Sequence, residues 1–499
     1  ITDKVRQVDW HGGFTAASNI SIYTARTYPK EYWNRTAFIS EPTGHLTAAM
    51  TLQPSGADYK ARYGWNLLAS DDEWSSPVDA QVGPDGHMWV IDWYAFIVQH
   101  NPTPAGFTNG KGNAFETPAR DKTHGRIYRV VYTKAKPEPA LTLKDATPEK
   151  LVETLKHHNL TWRLHAQRLL VERGKTDVVP ALVKLIEDKT VDETGLNAGG
   201  VHAVWILAGL KQPYPEAAVR HPSRPVWCAS LAAHAASSDP DGHAETAAAA
   251  ALGESNGGSK LHLAAALAAA ELPVTEKPLS GGDLGVHSLV GHLRAKLIRL
   301  DQDDTLRVAL LSASARRSGR VIAECLTPWA GRPSPQGLVA VELLARHYAQ
   351  TGGDEYLPWM LSQFASFRTA DQPVPQAILN GLAAGWPEGR TAKLDEAAEK
   401  AIPKLLPVLP AAQRTKLLKL ASTWGVKGLD EEIAELVQTA LATLTNPKAW
   451  DTEKVAAAEL IVEFRPSDEA LAKKILDSLT DKASAALATG IFEALAASK

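Results

Sequence analysis

Through residue 132, short runs of apolar and β-forming residues are separated by polar turn residues. The apolar run 88–91 follows the tight-turn sequence Gly83-Pro84-Asp85-Gly86, and residues 78–82 enter that turn from the other side. This arrangement predicts a β-hairpin. Further predicted strands cover residues 36–39, 46–52 and 127–132. Short strands grouped between turns are typical of propeller blades or of a sandwich.

From residue 147 onward, apolar residues recur every three or four positions, which is the spacing of amphipathic helices. Thr147 followed by Pro148 is a favourable helix start. One predicted helix face consists of Ile433, Leu436, Val437, Ala440, Leu441 and Leu444. Similar helix segments return at irregular intervals, below and around the 40-odd residues of HEAT-type helical pairs. We therefore expect a HEAT-like α-solenoid.

Aromatic residues divide the chain more clearly than charge does. Of the 34 Trp, Tyr and Phe residues, 19 lie within residues 1–133. Residues 134–140 (KAKPEPA) have the prolines and alternating charges of a linker. We therefore predict a multidomain β + α chain. Residues 1–133 would form a partial β-propeller of about two antiparallel blades, and residues 141–499 would form the helical repeat region.

Composition excludes several classes of protein. A formal net charge of −3 argues against a nucleic-acid groove. Cys228 and Cys325 are the only cysteines, so the chain carries no disulfide framework and no CxxCH haem-attachment motif. The longest apolar stretches, such as residues 261–272, are too short to span a bilayer. The histidines, including the adjacent His157 and His158, lack metal-ligand spacing, and no metal site is predicted.

One cluster carries candidate chemistry. Because a hairpin returns its open ends to one sheet edge, Asp79 should lie close to Asp92, Trp93 and Tyr94, at the end opposite the turn. Carboxylates beside aromatic rings at a blade mouth could bind a cation or a polyol, or orient a catalytic base. Equally, the aromatic rings could pack between blades while the aspartates cap strand ends. Nearby loops contribute His100, another candidate, and also Glu41, His45 and His124.

Four segments resemble a known family. They are residues 11–23 (HGGFTAASNISIY), 28–46, 66–94 (the most specific, ending in VGPDGHMWVIDWY) and 124–130 (HGRIYRV). These segments are similar to the later blades of the PVC-type haem-binding, membrane-bound-dehydrogenase-like proteins, whose propeller looks like that of the soluble glucose/sorbosone dehydrogenases. In that family, a HEAT-like region follows the propeller, often with a c-type cytochrome module after it.

The resemblance implies an extracytoplasmic protein that oxidises sugars or related alcohols. Pyrroloquinoline quinone would accept the hydride, calcium would polarise the cofactor, and electrons would pass to haem. By position, the family's DWY turn falls on Asp92, Trp93 and Tyr94, and its PVD strand entry falls on residues 77–79. The helical repeats would dock a cytochrome or another protein partner.

The chain departs from this family in two respects. It lacks CxxCH, so it carries no covalent haem, and about two blades are too few to close a ring. We expect the remaining blades upstream and the isolated chain to be inactive. Two other interpretations stay open: a non-catalytic interaction protein, and a carbohydrate-binding propeller in which Trp93 and Tyr94 stack on sugar rings.

Overall fold

The computed structural model divides the chain into two compact units, Ile1–Leu272 and Pro273–Lys499. The structure describes residues 14, 16–72, 74–95, 123–136, 138–213, 215–236, 243–274, 288–299, 302–327, 332–351, 353–364, 373–480 and 483–496. Antiparallel sheets come first in the chain and helices follow, so the predicted order of β and then α structure is confirmed.

The first sheet has four antiparallel strands, which lie side by side in chain order. They are β1 (Asn19–Ile22), β2 (Thr36–Glu41), β3 (Leu46–Ser55) and β4 (Asp58–Ala69). Thr36 lies opposite Thr51 and Glu41 opposite Leu46, so the predicted strands 36–39 and 46–52 are neighbours in this sheet. The sheet does not close on itself, so β1 and β4 are its two edges.

The second sheet contains the predicted hairpin. Its strands are β5 (Pro77–Val82), β6 (Met88–Asp92) and β7 (Arg126–Val130), again antiparallel and in chain order. The turn closes through a hydrogen bond from Gly83 N–H to the His87 carbonyl oxygen, 2.8 Å long. Gly86 has a φ of +75°, and a Cβ there would lie 1.9 Å from the Thr27 hydroxyl oxygen. Only glycine fits that position.

Two stacked tyrosines join the sheets. The rings of Tyr23 and Tyr28 lie 4.7 Å apart and nearly parallel. Tyr23 donates its hydroxyl hydrogen to the Gly86 carbonyl oxygen (2.8 Å), and Tyr28 donates to the carbonyl oxygen of Val130 (2.5 Å). Met88 N–H donates in turn to the Tyr28 hydroxyl oxygen, at 3.2 Å. Burial raises the pKa of Tyr23 to about 12, so this hydroxyl stays a neutral donor at physiological pH.

Seven helices complete the first unit in the described part of the chain. They are α1 (Pro148–Thr154), α2 (Leu160–Arg173), α3 (Val179–Glu187), α4 (Ala198–Gly209), α5 (Arg224–Ala235), α6 (His243–Gly253) and α7 (Gly258–Glu271). The Thr147 side chain accepts a hydrogen bond from Lys150 N–H, which confirms the predicted helix cap. Most of these helices contact the next helix along the chain or the next but one.

The hairpin turn is held against the start of α2. Asn159, the residue that caps this helix, donates its side-chain amide to the Gly83 carbonyl oxygen at 2.9 Å. Its own side-chain oxygen accepts from Thr161 N–H. The indole N–H of Trp162 donates to the carbonyl oxygen of Pro84, at 2.8 Å. These bonds fasten the second sheet to the helices within one compact unit.

The second unit is helical throughout its described residues. Its helices are α8 (Leu289–Leu297), α9 (Asp304–Ala315), α10 (Ser318–Cys325), α11 (Pro335–Thr351), α12 (Leu357–Phe364), α13 (Pro373–Gly385), α14 (Glu396–Leu405), α15 (Ala411–Trp424), α16 (Asp430–Thr445), α17 (Asp451–Phe464), α18 (Glu469–Asp477) and α19 (Ala485–Ala496). On α16, five of the six predicted stripe residues are buried, all but Leu436. Among the described helices, none combines the length and apolarity needed to cross a bilayer.

The packing of α11 against α13 depends on two glycines. A Cβ at Gly381 would lie 2.2 Å from the Glu342 carbonyl oxygen, and one at Gly385 would lie 2.4 Å from the Arg346 carbonyl oxygen. Both obstacles are backbone atoms, which cannot rotate out of the way. The two helices therefore approach closely only because these side chains are missing.

We predict that Gly381→Ala destabilises the protein by about 2 kcal/mol, since the overpacking outweighs the better helix propensity of alanine. The matched control is Gly199→Ala on α4, where the nearest obstacle is the flexible Lys156 side chain at 3.3 Å. The control should be neutral or slightly stabilising. Chemical denaturation of both variants measures this, and equal stabilities would contradict the packing argument.

A buried arginine and histidine connect α2 to α4. Arg163 Nε donates to His202 Nε2 at 3.1 Å, and His202 Nδ1 lies 2.6 Å from the side-chain oxygen of Gln167. His202 Nε2 must accept and Nδ1 must donate, so the ring is neutral. Burial, together with the neighbouring Arg163, lowers the pKa of His202 to about 4.

The unfolded chain takes up a proton on His202 near pH 6.5, and the folded chain does so only near pH 4. Acid therefore favours the unfolded state in this window. We predict that protonation of His202 lowers the free energy of unfolding by about 3 kcal/mol between pH 7 and pH 4. Denaturation at both pH values should show a smaller loss for His202→Gln than for the wild type. The exposed His165→Gln serves as the control, and an unchanged pH dependence in His202→Gln would contradict the assignment.

Candidate functional site

The predicted site residues lie near the same end of the hairpin, but the two aspartates are on opposite faces of the sheet. Pro77 lies opposite Asp92, and Asp79 lies opposite Ile91, with a bulge at Val78 between them. Residues that pair across strands share a face, and successive residues alternate between faces. Asp79 therefore lies on the outer face of this sheet with Ile91, whereas Asp92 lies on the inner face. The two carboxylates do not form a pair.

Asp92 is a buried carboxylate with four hydrogen-bond donors. One carboxylate oxygen accepts from Ser76 N–H at 2.6 Å and from Tyr94 N–H at 2.8 Å. The other accepts from the hydroxyls of Ser75 and Tyr128, both at 3.2 Å. With only 1% of its surface exposed, Asp92 fixes the open end of the hairpin. This geometry favours the strand-capping interpretation for Asp92.

Asp79 connects the two sheets. Its Oδ1 accepts hydrogen bonds from the side-chain amides of Asn19 in β1 and Gln81 in β5. Nearby, the Ser18 hydroxyl donates to the Val78 carbonyl oxygen, 2.7 Å away. Asp79 is only half-buried, so its contribution to stability should be smaller than that of Asp92.

An ordered aromatic and charged surface lies beside Asp92. The Arg126 guanidinium stacks over the Tyr94 ring, 3.7 Å from its centre, and forms an ion pair with Asp72 at 3.0 Å. The Trp74 ring lies 5.8 Å from that of Tyr94. The hydrogen bond from Trp74 N–H, with Arg126 alongside, keeps the pKa of Asp72 below its ordinary value. We call these four residues, Asp72, Trp74, Tyr94 and Arg126, the Tyr94–Arg126 surface.

Tyr94 itself has a left-handed backbone, with a φ of +55°. Non-glycine residues adopt this conformation uncommonly, and here the Tyr94 N–H bond to Asp92 fixes it. The Trp93 side chain is 47% exposed, although its backbone N–H is bound to the Ser76 carbonyl oxygen. The three consecutive predicted residues thus have distinct roles. Asp92 is buried and hydrogen-bonded, the Trp93 ring is exposed, and the Tyr94 ring stacks under Arg126.

The other candidate residues lie elsewhere or serve the local fold. His100 is outside the described residues. Buried Glu41 accepts hydrogen bonds from Ala16 N–H and the Thr43 hydroxyl. His45 is bound through Nδ1 to the Ser75 carbonyl oxygen. Arg126, by contrast, has a clear place in the site. It lies within the segment 124–130 that resembles the family, but no spacing pattern singles it out.

Calcium, which the family resemblance implies, does not fit the predicted carboxylates. A calcium ion takes six to eight oxygen ligands and needs carboxylates with free lone pairs. Asp92 already accepts four hydrogen bonds, and Asp79 Oδ1 accepts two from side-chain amides on the other face of the sheet. These two carboxylates of the described site therefore have structural partners in place of a cation.

Comparison with known proteins gives one partial match. Residues 1–134 match the model of a family described as a domain of unknown function (DUF7133). This match covers both sheets and ends shortly after β7. No curated protein matches the chain.

We predict that Asp92→Ala lowers the free energy of unfolding by at least about 3 kcal/mol, because four donors, two of them buried, lose their acceptor. Asp79→Ala, which removes an acceptor that is only half-buried, should cost less than about 1 kcal/mol. Chemical denaturation of both variants is the measurement. If Asp92→Ala lowered the free energy of unfolding only slightly, the structural role of this carboxylate would be contradicted and a role in ligand binding favoured.

Proposed function

We propose that this chain is part of an extracytoplasmic dehydrogenase-like protein that acts on sugars or alcohols. Its two open sheets are propeller blades that contribute the Tyr94–Arg126 surface to a substrate mouth. Its helices form a HEAT-like scaffold that docks a redox partner such as a cytochrome. The chemistry of oxidation belongs to blades outside this chain, since no catalytic set is found among its described residues.

The observation that carries this proposal is the outer face of the second sheet, which the described residues leave exposed. Ile127 is 69% exposed, and its cross-strand partner Ile91 is 46% exposed. Trp89 lies on the same face. Three large apolar side chains on one face of a sheet are the kind of surface that packs against a neighbouring sheet. A further blade would cover this face.

The position of the Tyr94–Arg126 surface is consistent with a substrate-binding mouth of the proposed propeller. It lies at the open end of the hairpin, where the loops of neighbouring propeller blades converge. The Arg126 guanidinium is held by Asp72, the Tyr94 ring and the Tyr128 hydroxyl, so its donors are preorganised for a polar ligand. Such a surface can bind hydroxyl groups and stack on a sugar ring.

A docking role for the helices is supported by exposed apolar residues on adjoining helices. Val308 on α9 is exposed, and so are Val339 and Leu343, one turn apart on α11. These two helices contact each other within the second unit. Exposed apolar side chains on neighbouring helices favour protein contact more than chemistry.

The test is a dye-linked oxidation assay with pyrroloquinoline quinone and calcium over a panel of sugars and alcohols. We expect no turnover from the isolated chain. We expect turnover from a longer polypeptide that also carries the remaining blades. Turnover by the isolated chain, or none by the longer polypeptide, would contradict the proposal.

In the longer polypeptide, Arg126→Ala should lower kcat/KM at least tenfold, a loss of about 1.4 kcal/mol in transition-state binding. The matched control is Arg129→Ala on the same strand. Arg129 is paired with Asp85 at the turn end of the hairpin, with 2.6 Å between Nε and Oδ2. Equal losses in the two variants would mean that Arg126 acts through stability alone.

The exposed Trp93 ring favours a second candidate, a non-catalytic carbohydrate-binding protein. Affinity electrophoresis in gels containing polysaccharide separates this candidate from the first. Retardation that disappears in Trp93→Ala, together with an inactive longer polypeptide, would favour binding over oxidation.

A further inference from the structure

Three potential metal ligands meet where the segment that follows the second sheet passes the corner between α1 and α2. Glu138 comes from that segment, and His157 and His158 form the corner itself. One ligand atom from each residue lies within 4.8 Å of the other two. The histidines are half-buried and the glutamate is exposed, so an ion can reach the cluster from solvent.

The distances are close to those of a coordinated ion. His158 Nε2 lies 3.0 Å from a Glu138 carboxylate oxygen, and the centres of the two imidazole rings lie 4.3 Å apart. Zinc binds nitrogen and carboxylate oxygen at about 2.0–2.2 Å in a tetrahedron, which places neighbouring ligand atoms roughly 3.3–3.6 Å apart. Small side-chain rotations would bring the three atoms to that spacing.

The corner that carries the histidines is firmly built. Buried Arg163 donates to the His157 carbonyl oxygen at 2.6 Å, and its other contact is His202. Asn159, the next residue after the pair, caps α2 and is bound to the hairpin turn. A metal site needs ligands whose backbone is fixed by surrounding contacts, and this corner provides that support.

One hydrogen bond opposes metal binding. The His157 Nδ1 atom accepts from Asn159 N–H at 3.0 Å, so a neutral ring carries its hydrogen on Nε2. If Nδ1 coordinates the ion, its lone pair is no longer available to Asn159 N–H. If Nε2 coordinates, its hydrogen moves to Nδ1, and the same hydrogen bond is lost. With three ligands and this lost hydrogen bond, we expect an affinity in the micromolar range, weaker than that of a closed four-ligand structural site.

We propose that Glu138, His157 and His158 bind a divalent transition-metal ion, with zinc as the reference ion and water in the fourth position. Two imidazoles and one carboxylate suit zinc and its neighbours, whereas magnesium and calcium prefer oxygen ligands. The bound ion would fix the segment after the last strand to the helical corner. This proposal does not depend on the dehydrogenase-like function.

The test is titration of the purified full chain, free of any affinity tag, with zinc chloride against a chromogenic chelator at neutral pH. We expect one equivalent of zinc to bind and no competition from magnesium or calcium. Glu138→Ala and His158→Ala should each weaken zinc binding at least tenfold. His165→Ala, an exposed histidine on α2 outside the cluster, should bind zinc like the wild type.

A second measurement keeps the result independent of folding. Zinc should raise the melting temperature of the wild type and of His165→Ala, and it should leave Glu138→Ala unchanged. Glu138 is exposed, so its alanine variant should fold normally without zinc. The absence of saturable binding at one equivalent, or wild-type binding by both cluster variants, would overturn the proposal.

Discussion

A sheet with apolar side chains on both faces gains stability when both are covered, and the described residues of this protein cover one face of the second sheet. Its inner face packs on Tyr23, Tyr28 and Phe38 in the core between the sheets. Its outer face presents Ile91 and Ile127 to solvent. At about 25 cal/mol for each Å² of apolar surface, this exposure favours association with a further layer. That exposed face is the observation that supports the proposed propeller.

Within the first unit, the hairpin of β5 and β6 is held at both ends by buried polar groups. Asp92 fixes the open end, and the side-chain amide of Asn159 fixes the turn. Between them, the hydroxyls of Tyr23 and Tyr28, which lie in the connection between β1 and β2, donate to backbone carbonyl oxygens of the second sheet. Buried groups of this kind are costly to leave unpaired, so they determine one register and one docking geometry. The Tyr94–Arg126 surface owes its order to this frame.

The sequence predicts elements whose signals are local. The Gly83–Gly86 turn identifies the hairpin, and Thr147 with Pro148 identifies the start of α1. The bulge at Val78 is not predictable in this way, because no local sequence signal marks it. It shifts the pairing by one residue, so Asp79 and Asp92 lie on opposite faces. The contacts of Arg126 with Asp72 and Tyr94 are equally non-local.

For the same reason, the spacing of residues in the sequence does not reveal the cluster of Glu138, His157 and His158. Adjacent histidines lack the separation of ligands on one helix face, and the third ligand comes from a segment without regular structure. The helical region is predictable in part. The helices are evident from their apolar faces, whereas the order in which they pack depends on close approaches such as that at Gly381.

The most direct measurement of the central claim is the solvent accessibility of the outer sheet face. A cysteine introduced as Ile91→Cys can be labelled with a maleimide in the isolated chain and in the longer polypeptide, with Val191→Cys as an exposed control. We predict rapid labelling of position 91 in the isolated chain and labelling at least tenfold slower once further blades are present. Equal rates at position 91 in both proteins would contradict it.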